Sequence, residues 1–243
     1  MIQKDTYLNK FNEYLNKITN PRIVKISIYV SLLTFLPGLL IGVIIASNFG
    51  PEGYHIWDNY ISDLGSFRFT PTPWILDIIA MITAIFLIPT LVFSTKILVS
   101  GSRKIIFNSN VDMKKRIFYV FNDIIAIIGL FWLIVGAIGL FGIGLFSEDR
   151  TTELNLHFLF SIIVFSGLAL GALFNGLAIL IKKSHIPRLL GLYMIFVPTT
   201  VSVLFVFPPT PYSVQFLEWM MLFSNLVWLL HITGLILRHL NRK

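Results

Sequence analysis

Six long apolar runs, separated by short polar segments, dominate the chain. They occupy residues 26–47, 74–99, 117–146, 154–181, 189–207 and 214–237. Each run comes close to or exceeds the ~20 residues that a helix needs to cross ~30 Å of hydrocarbon. Lipid cannot satisfy free backbone groups, and no alternating barrel pattern occurs, so the runs predict helices. The pattern therefore predicts an all-α polytopic membrane protein with six transmembrane helices.

The composition agrees with this architecture. Hydrophobic residues fill 56% of the 243 positions and charged residues 13%, and the mean hydropathy is +0.80. A soluble domain carries roughly 25% charged residues, so we predict a multi-pass protein of the cell membrane. The chain has no cysteine, which excludes disulfides, thiolate metal sites and a thiol nucleophile. It also lacks Walker, Rossmann, HExxH and GxSxG signatures, which sets nucleotide-driven functions aside.

The N-terminal segment, residues 1–22, differs from the rest of the chain. Its apolar residues Leu8, Phe11, Leu15 and Ile18 recur at helical spacing, while lysines occupy the other faces. That pattern predicts a short basic amphipathic helix on the membrane surface, with a basic tail as the alternative. Residues 23–243 then form a single six-helix membrane domain.

The basic residues predict the orientation. All 19 lysines and arginines except Arg68 and Arg150 lie in the N-terminal segment, the second–third and fourth–fifth connections, or the C-terminus. The positive-inside rule then places both termini in the cytoplasm. The net charge of +7 therefore reflects membrane topology, and we expect no nucleic-acid partner. Trp74 and Trp219 fall at the predicted outer ends of two spans, where interfacial anchors are expected.

A polar cluster is predicted at the outer face. Its residues are Ser62 and Asp63 in the first connection, Glu148 and Asp149 in the third, and Glu153, His157 and Ser161, spaced as on one helical face. A histidine with two or three carboxylates is able to hold a divalent metal ion or to run acid–base catalysis. His157, Asp149 and Asp63 are the candidate catalytic residues and metal ligands, and the other four are candidate binding residues. The alternative is a solvated loop followed by a helix start.

A second polar set lies nearer the predicted cytoplasmic face. Asn122, Asp123, Asn175 and His231 sit at similar depth in three spans. An aspartate inside the membrane costs ~2.5–3.5 kcal/mol on insertion scales, so Asp123 is expected to reach His231, Asn175 or a nearby cation. Asp123 and His231 are candidate binding residues. The set fits a proton relay, a lipid-headgroup contact or an interhelical hydrogen-bond clamp.

Two loop motifs carry a family resemblance. Segment 60–65 (YISDLG) resembles the first motif of the membrane-protein family known as domain of unknown function 998, segment 142–149 (GIGLFSED) resembles its second, and His157 falls at its third landmark. The ISD sequence of residues 61–63, together with the downstream His157, is also distantly similar to the damage-regulated autophagy modulator group of six-span proteins. That group is associated with lipid-anchor remodelling and with phosphoinositide or autophagy-linked membrane processes. The resemblance covers residues 37–181 and supplies no established reaction. It implies six spans and an outer site at Ser62, Asp63, Asp149 and His157.

Three hypotheses for function remain open. The first is binding or processing of a lipid or isoprenoid headgroup at the outer site, as a hydrolase or transferase, with membrane lipid as the partner. The second is a small proton- or cation-coupled transporter in which Asp123 and His231 relay protons. The third is a non-catalytic membrane scaffold. The sequence leaves the substrate, the identity of any metal and the oligomeric state undetermined.

Overall fold

Six long helices form the framework of the protein. The computed structural model describes residue 10 and residues 12–108, 110–182 and 184–242, and this part of the chain contains no strand. The helices are α1 (Pro21–Phe49), α2 (Trp74–Val99), α3 (Met113–Leu145), α4 (Leu156–Ile181), α5 (Arg188–Val206) and α6 (Val214–Asn241). Each is long and apolar enough to span a membrane, which confirms the predicted all-α, six-helix class.

The helix boundaries follow local chemistry. Asn20 caps α1 by accepting a hydrogen bond from the Arg22 N–H, and Pro21 occupies the first turn, where its missing N–H costs nothing. Ser213 caps α6 by accepting from the Phe216 N–H. Pro89 and Pro198 lie inside α2 and α5 without ending either helix, a tolerance typical of membrane helices.

The N-terminal segment is described only in part. Residues 12–18 are helical, whereas Leu8 and Phe11 lie outside the described residues. The Lys96 Nζ donates to the Thr19 hydroxyl at 2.9 Å, which joins this segment to the end of α2. The position of the segment on a membrane surface stays a prediction.

Glycines bring α3 and α4 together as the closest helix pair. A Cβ on Gly139 would lie 2.5 Å from the Val164 backbone nitrogen, and one on Gly167 would lie 2.5 Å from the Gly136 Cα. Only glycine allows backbones to approach this closely, as in other small-residue interfaces of membrane helices.

The two ends of the bundle differ in charge. We call the end that carries connections 50–73 and 146–155 the acidic end. The end that carries connections 100–112 and 182–187, together with the start of α1 and the end of α6, is the basic end. Both ends of the helical framework therefore lie on the same side of the bundle. Which side of a membrane this is stays a prediction.

The 50–73 connection folds back over the bundle at the acidic end. Tyr54 and Leu64 are each 2% exposed and pack in a core that includes Trp219 of α6. The Trp219 indole donates to the Asn59 carbonyl at 3.2 Å, and the Ser213 hydroxyl donates to the Trp57 carbonyl. Trp219 is only 1% exposed, so its prediction as an interfacial anchor was wrong: the connection covers it.

Helix α6 packs mainly on α5 and approaches α1, α2 and α4 at few points. This loose packing leaves space between α6 and the rest of the bundle, and the folded-back connection covers the space at the acidic end.

Candidate functional site

Five titratable side chains meet at the acidic end, and we call them the acid–histidine cluster. They are Asp63, Glu148, Asp149, His157 and Glu218. Each lies within electrostatic range of at least one other member. Two connections and two helices therefore place their polar side chains in one region.

Asp63 is the most centrally placed carboxylate of the cluster. It lies in a short 3-10 helix (Ser62–Gly65) and is 5% exposed. Its Oδ2 accepts hydrogen bonds from the Tyr60 N–H at 2.9 Å and the Asn59 amide at 3.1 Å. These local bonds hold the buried carboxylate in place, since a buried charge must be paired with donors.

Glu148 lies against Asp63 from the opposite connection. Although Glu148 is exposed on the surface of its connection, partial burial of its carboxyl, followed by the charge of Asp63 and a hydrogen bond with it, raises the pKa of that carboxyl from 4.5 to about 7. Neighbouring carboxyl groups favour sharing one proton over carrying two charges. A shared proton therefore favours contact between the first and third connections.

Asp149 ties the same two connections by a different route. Its two carboxylate oxygens accept from the Ser66 hydroxyl at 2.8 Å and the Phe67 N–H at 2.6 Å. Both oxygens therefore have protein donors, and Asp149 links the third connection to the first by hydrogen bonds.

Both cations of the acidic end are paired. Arg150 donates to the buried Asp77 carboxylate at 2.7 Å and to the Gly144 carbonyl at 3.1 Å. Arg68 forms an ion pair with Glu52 at 2.8 Å. Since each of these cations already neutralises one acid, the remaining carboxylates dominate the local field, which disfavours anions.

Glu218 is a functional candidate that the sequence interpretation missed. It lies in the second turn of α6, is 7% exposed, and its Oε2 accepts from the Ile61 N–H at 2.7 Å. An acid inside an otherwise apolar run was the available signal. The 50–73 connection that buries it could not be read from that run.

His157 occupies the first turn of α4 and is 9% exposed. Its Nδ1 lies 2.8 Å from the Phe146 carbonyl oxygen, so Nδ1 carries the proton and donates. The other ring nitrogen, Nε2, is then a buried lone pair, and no described residue partners it. His157 is not among the lining residues of the apolar cavity described below.

The other predicted binding residues divide into two groups. Ser62 and Ser161 line the apolar cavity described below. Glu153 is exposed and lies in the turn before α4, so its prediction on one helical face with His157 and Ser161 was wrong. Asn155 adopts a left-handed conformation (φ 52°, ψ 48°), and this breaks the chain direction before the helix begins at Leu156.

An apolar cavity of about 110 Å³ lies between α6 and helices α1–α4. At the acidic end, Ile61, Ser62 and Glu218 line it. Along α6 its lining runs from Glu218 to Thr233, a distance of about 22 Å at 1.5 Å per residue. Thr83 also lines it and has a buried hydroxyl with no partner among the described residues. The cavity is long and mostly apolar, with its only ionisable lining residue among those described, Glu218, at the acidic end.

At the basic end, Asp123 does not meet His231. Asp123 accepts from the Ser102 hydroxyl at 2.7 Å and lies 3.9 Å from the Lys182 Nζ, a cation of the kind expected near it. His231 is exposed, and its ring contacts the Val227 carbonyl. Each residue is engaged separately, and the described contacts provide no direct link for a relay between them.

Lys182 is the cation that lies near Asp123 at the basic end. It is 7% exposed, and its Nζ donates to the Leu98 carbonyl, the Ser100 carbonyl and the Ser102 hydroxyl at 2.8, 3.0 and 2.8 Å. All three ammonium donors are used, which offsets the burial of this charge. The arrangement has the geometry of an interhelical clamp.

No group of three or more histidine or acidic side chains in the described part of the chain converges in a way that would hold a metal ion. Of the three predicted ligands, Asp149 directs both oxygens to Ser66 and Phe67, and His157 directs Nδ1 to a carbonyl. The residues present therefore do not form a three-ligand site for a divalent metal.

Comparisons with protein-family models, with curated protein sequences and with solved structures return no match for this chain.

Proposed function

We propose that this membrane protein binds a single-chain amphiphile, with its tail in the cavity between α6 and the bundle and its headgroup at the acid–histidine cluster. The observation that carries the proposal is the form of the cavity: it is long and mostly apolar, and Glu218, the only ionisable residue among the described lining residues, lies beside Ser62 at the acidic end. Concave apolar sites with a few convergent polar groups are the usual places for small-molecule binding.

The length of the cavity favours one extended chain. Its lining covers about 22 Å along α6 and is mostly apolar. An extended fatty-acyl or isoprenoid chain matches this length and this chemistry.

The charges select the class of headgroup. Glu218 lines the cavity and is a hydrogen-bond acceptor, and Asp63 lies within electrostatic range behind it. Arg68 and Arg150, the two cations of this end, are already paired with Glu52 and Asp77. A headgroup that donates hydrogen bonds, such as a hydroxyl or an ammonium group, is therefore favoured over a phosphate.

The proposal covers ligand binding and does not include catalysis. The predicted hydrolase or transferase activity stays a prediction, because the ring of His157 contacts no described hydroxyl that it would activate.

Matched tryptophan variants of α1 test the proposal. Leu36 lines the cavity, whereas Leu40 lies one turn further along α1 and is 60% exposed. Leu36→Trp fills the cavity and Leu40→Trp does not. The detergent-purified proteins are titrated with oleyl alcohol, oleylamine and oleyl phosphate, and bound ligand is counted by native mass spectrometry.

The expected result is retention of the alcohol or the amine by the wild type and Leu40→Trp, with loss in Leu36→Trp. Equal retention of the ligand by Leu36→Trp would show that the ligand does not occupy this cavity. Equal or stronger retention of oleyl phosphate would show that the choice of headgroup is wrong.

A further inference from the structure

A second cavity, of about 320 Å³, lies at the basic end between the end of α2, the α4–α5 connection and the end of α6. Its lining divides into an apolar part and a basic rim. The apolar part includes Ile97, Ile186, Ile232, Leu235 and Ile236, and the rim consists of His185, Arg238, His239 and Arg242. None of the ten described residues that line it is acidic.

We propose that this cavity binds the phosphate of an anionic phospholipid, with part of the acyl region against its apolar floor. Arg238 in the last turn of α6 and Arg242 directly after its end are four residues apart and line the same cavity, so their guanidinium groups reach the same region. Guanidinium groups match phosphate oxygens in charge and in hydrogen-bond geometry. Basic pockets between membrane helices are a recurrent form of headgroup recognition.

The local field favours an anion even at a helix end. The C-terminus of α6 carries a partial charge of roughly −0.5, whereas Arg238 and Arg242 contribute two full positive charges to the rim. Asp123, the acid of the Lys182 clamp, is engaged by Ser102. A phosphate therefore meets a net positive rim.

The apolar floor distinguishes a lipid from a free phosphate ion. Ile232, Leu235 and Ile236 lie toward the bundle interior from Arg238, so the lining changes from apolar to basic along the axis of α6. This order matches that of a phospholipid at the membrane interface, with acyl chains deeper than the phosphate. Free phosphate would use only the rim.

The proposed lipid also differs from the ligand proposed at the acidic end. There, the Glu218 carboxylate lines the acidic end of the cavity; here, the rim is basic. The two cavities therefore select headgroups of opposite character, and each proposal stands or fails without the other.

Native mass spectrometry of the purified full chain tests the proposal with dioleoyl phosphatidylglycerol, dioleoyl phosphatidylcholine and inorganic phosphate as probes. The wild type is compared with Arg238→Gln/Arg242→Gln and with Leu235→Trp, which fills the cavity floor without changing charge. Lys114→Gln/Lys115→Gln is the matched control, because both lysines are exposed at the same end and outside the cavity.

The wild type and the lysine control are expected to retain one phosphatidylglycerol, and the arginine variant to bind it about 30-fold more weakly, since each basic group contributes about 1 kcal/mol near an anionic headgroup. Leu235→Trp is also expected to lose it. Equal retention by the arginine variant, or equal retention of phosphatidylcholine, would overturn the proposal. If inorganic phosphate bound as well as the lipid, or if Leu235→Trp retained the lipid, the acyl part of the proposal would be wrong.

Discussion

The carboxylate of Glu218 accepts a hydrogen bond from the Ile61 N–H at 2.7 Å, joining residues 157 positions apart in the chain. This bond holds the 50–73 connection on α6 and closes the acidic end of the apolar cavity, which both residues line. The helix that packs most loosely on the bundle is thus fastened at the place where the proposed headgroup would lie.

Removing the Glu218 acceptor is expected to loosen the connection. Glu218→Ala leaves the Ile61 N–H without its partner, a loss of about 1–3 kcal/mol, whereas Glu218→Gln keeps an acceptor and is expected to have a smaller effect. Hydrogen exchange of the peptide containing Ile61 measures the difference. Equal protection in the wild type and Glu218→Ala would contradict the fastening role.

The contact between Glu148 and Asp63 is expected to depend on pH. The pKa of Glu148 is raised from 4.5 to about 7, so the folded protein holds more protons than the unfolded chain in that window. The free energy of unfolding therefore falls as pH rises from about 4.5 to about 7 and levels off above it. Melting temperatures at pH 5 and pH 8 measure the effect.

Glu148→Gln is expected to reduce this pH dependence, because the amide does not titrate. Glu153→Gln is the matched control, since Glu153 is exposed on the same connection and makes no hydrogen bond or ion pair among the described residues. If the pH dependence of stability were unchanged in Glu148→Gln, other titratable groups would be its cause.

The close contact of α3 and α4 makes Gly167 intolerant of a side chain. A Cβ there would lie 2.5 Å from the Gly136 Cα and 2.8 Å from the Trp132 carbonyl oxygen, both backbone atoms. Gly167→Ala is expected to destabilise the protein by about 1–3 kcal/mol. Gly234→Ala is the control, because a Cβ at that position would have no neighbour within 4 Å, and it is expected to be neutral or stabilising. Thermal unfolding in detergent compares the two, and equal melting temperatures would contradict the packing argument.

Lys182 is expected to contribute more stability than Asp123. Lys182→Met leaves the Leu98 and Ser100 carbonyls without their donor, at a cost of about 2–5 kcal/mol for the two acceptors. Asp123→Asn keeps an acceptor for Ser102 and loses only a 3.9 Å ion pair. Chemical denaturation measures both, and a larger effect of Asp123→Asn would place the ion pair at the centre of the clamp.

The basic end is expected to face the cytoplasm, because it carries all the lysines and arginines of the described residues except Arg68 and Arg150. A reporter fused after Lys104 should read cytoplasmic, and one inserted in segment 147–153 should read external. The opposite pattern would reverse the orientation while leaving the bundle unchanged.

The sequence alone determined the six helices. The length and hydropathy of each run are local properties, and they suffice to predict that the run crosses a bilayer as a helix. The close approach of α3 and α4 was also predictable in kind, since Gly136, Gly139 and Gly167 mark positions where backbones approach. The two loop segments around Asp63 and Asp149 were correctly singled out as polar residues of one end. Their assignment as metal ligands or catalytic groups was not determined by composition or spacing.

Only the tertiary structure decided how those polar residues are used. The helices are apolar on nearly every face, so the sequence carries no periodic signal for which side of α6 faces the bundle. For this reason the sequence did not show that His231 is exposed and Glu218 is buried. The turn at Asn155, which separates Glu153 from α4, depends on a left-handed backbone conformation that asparagine tolerates but does not require. The partners of Glu218 and Arg150 come from residues 157 and 73 positions away, and such contacts exist only once the helices have packed.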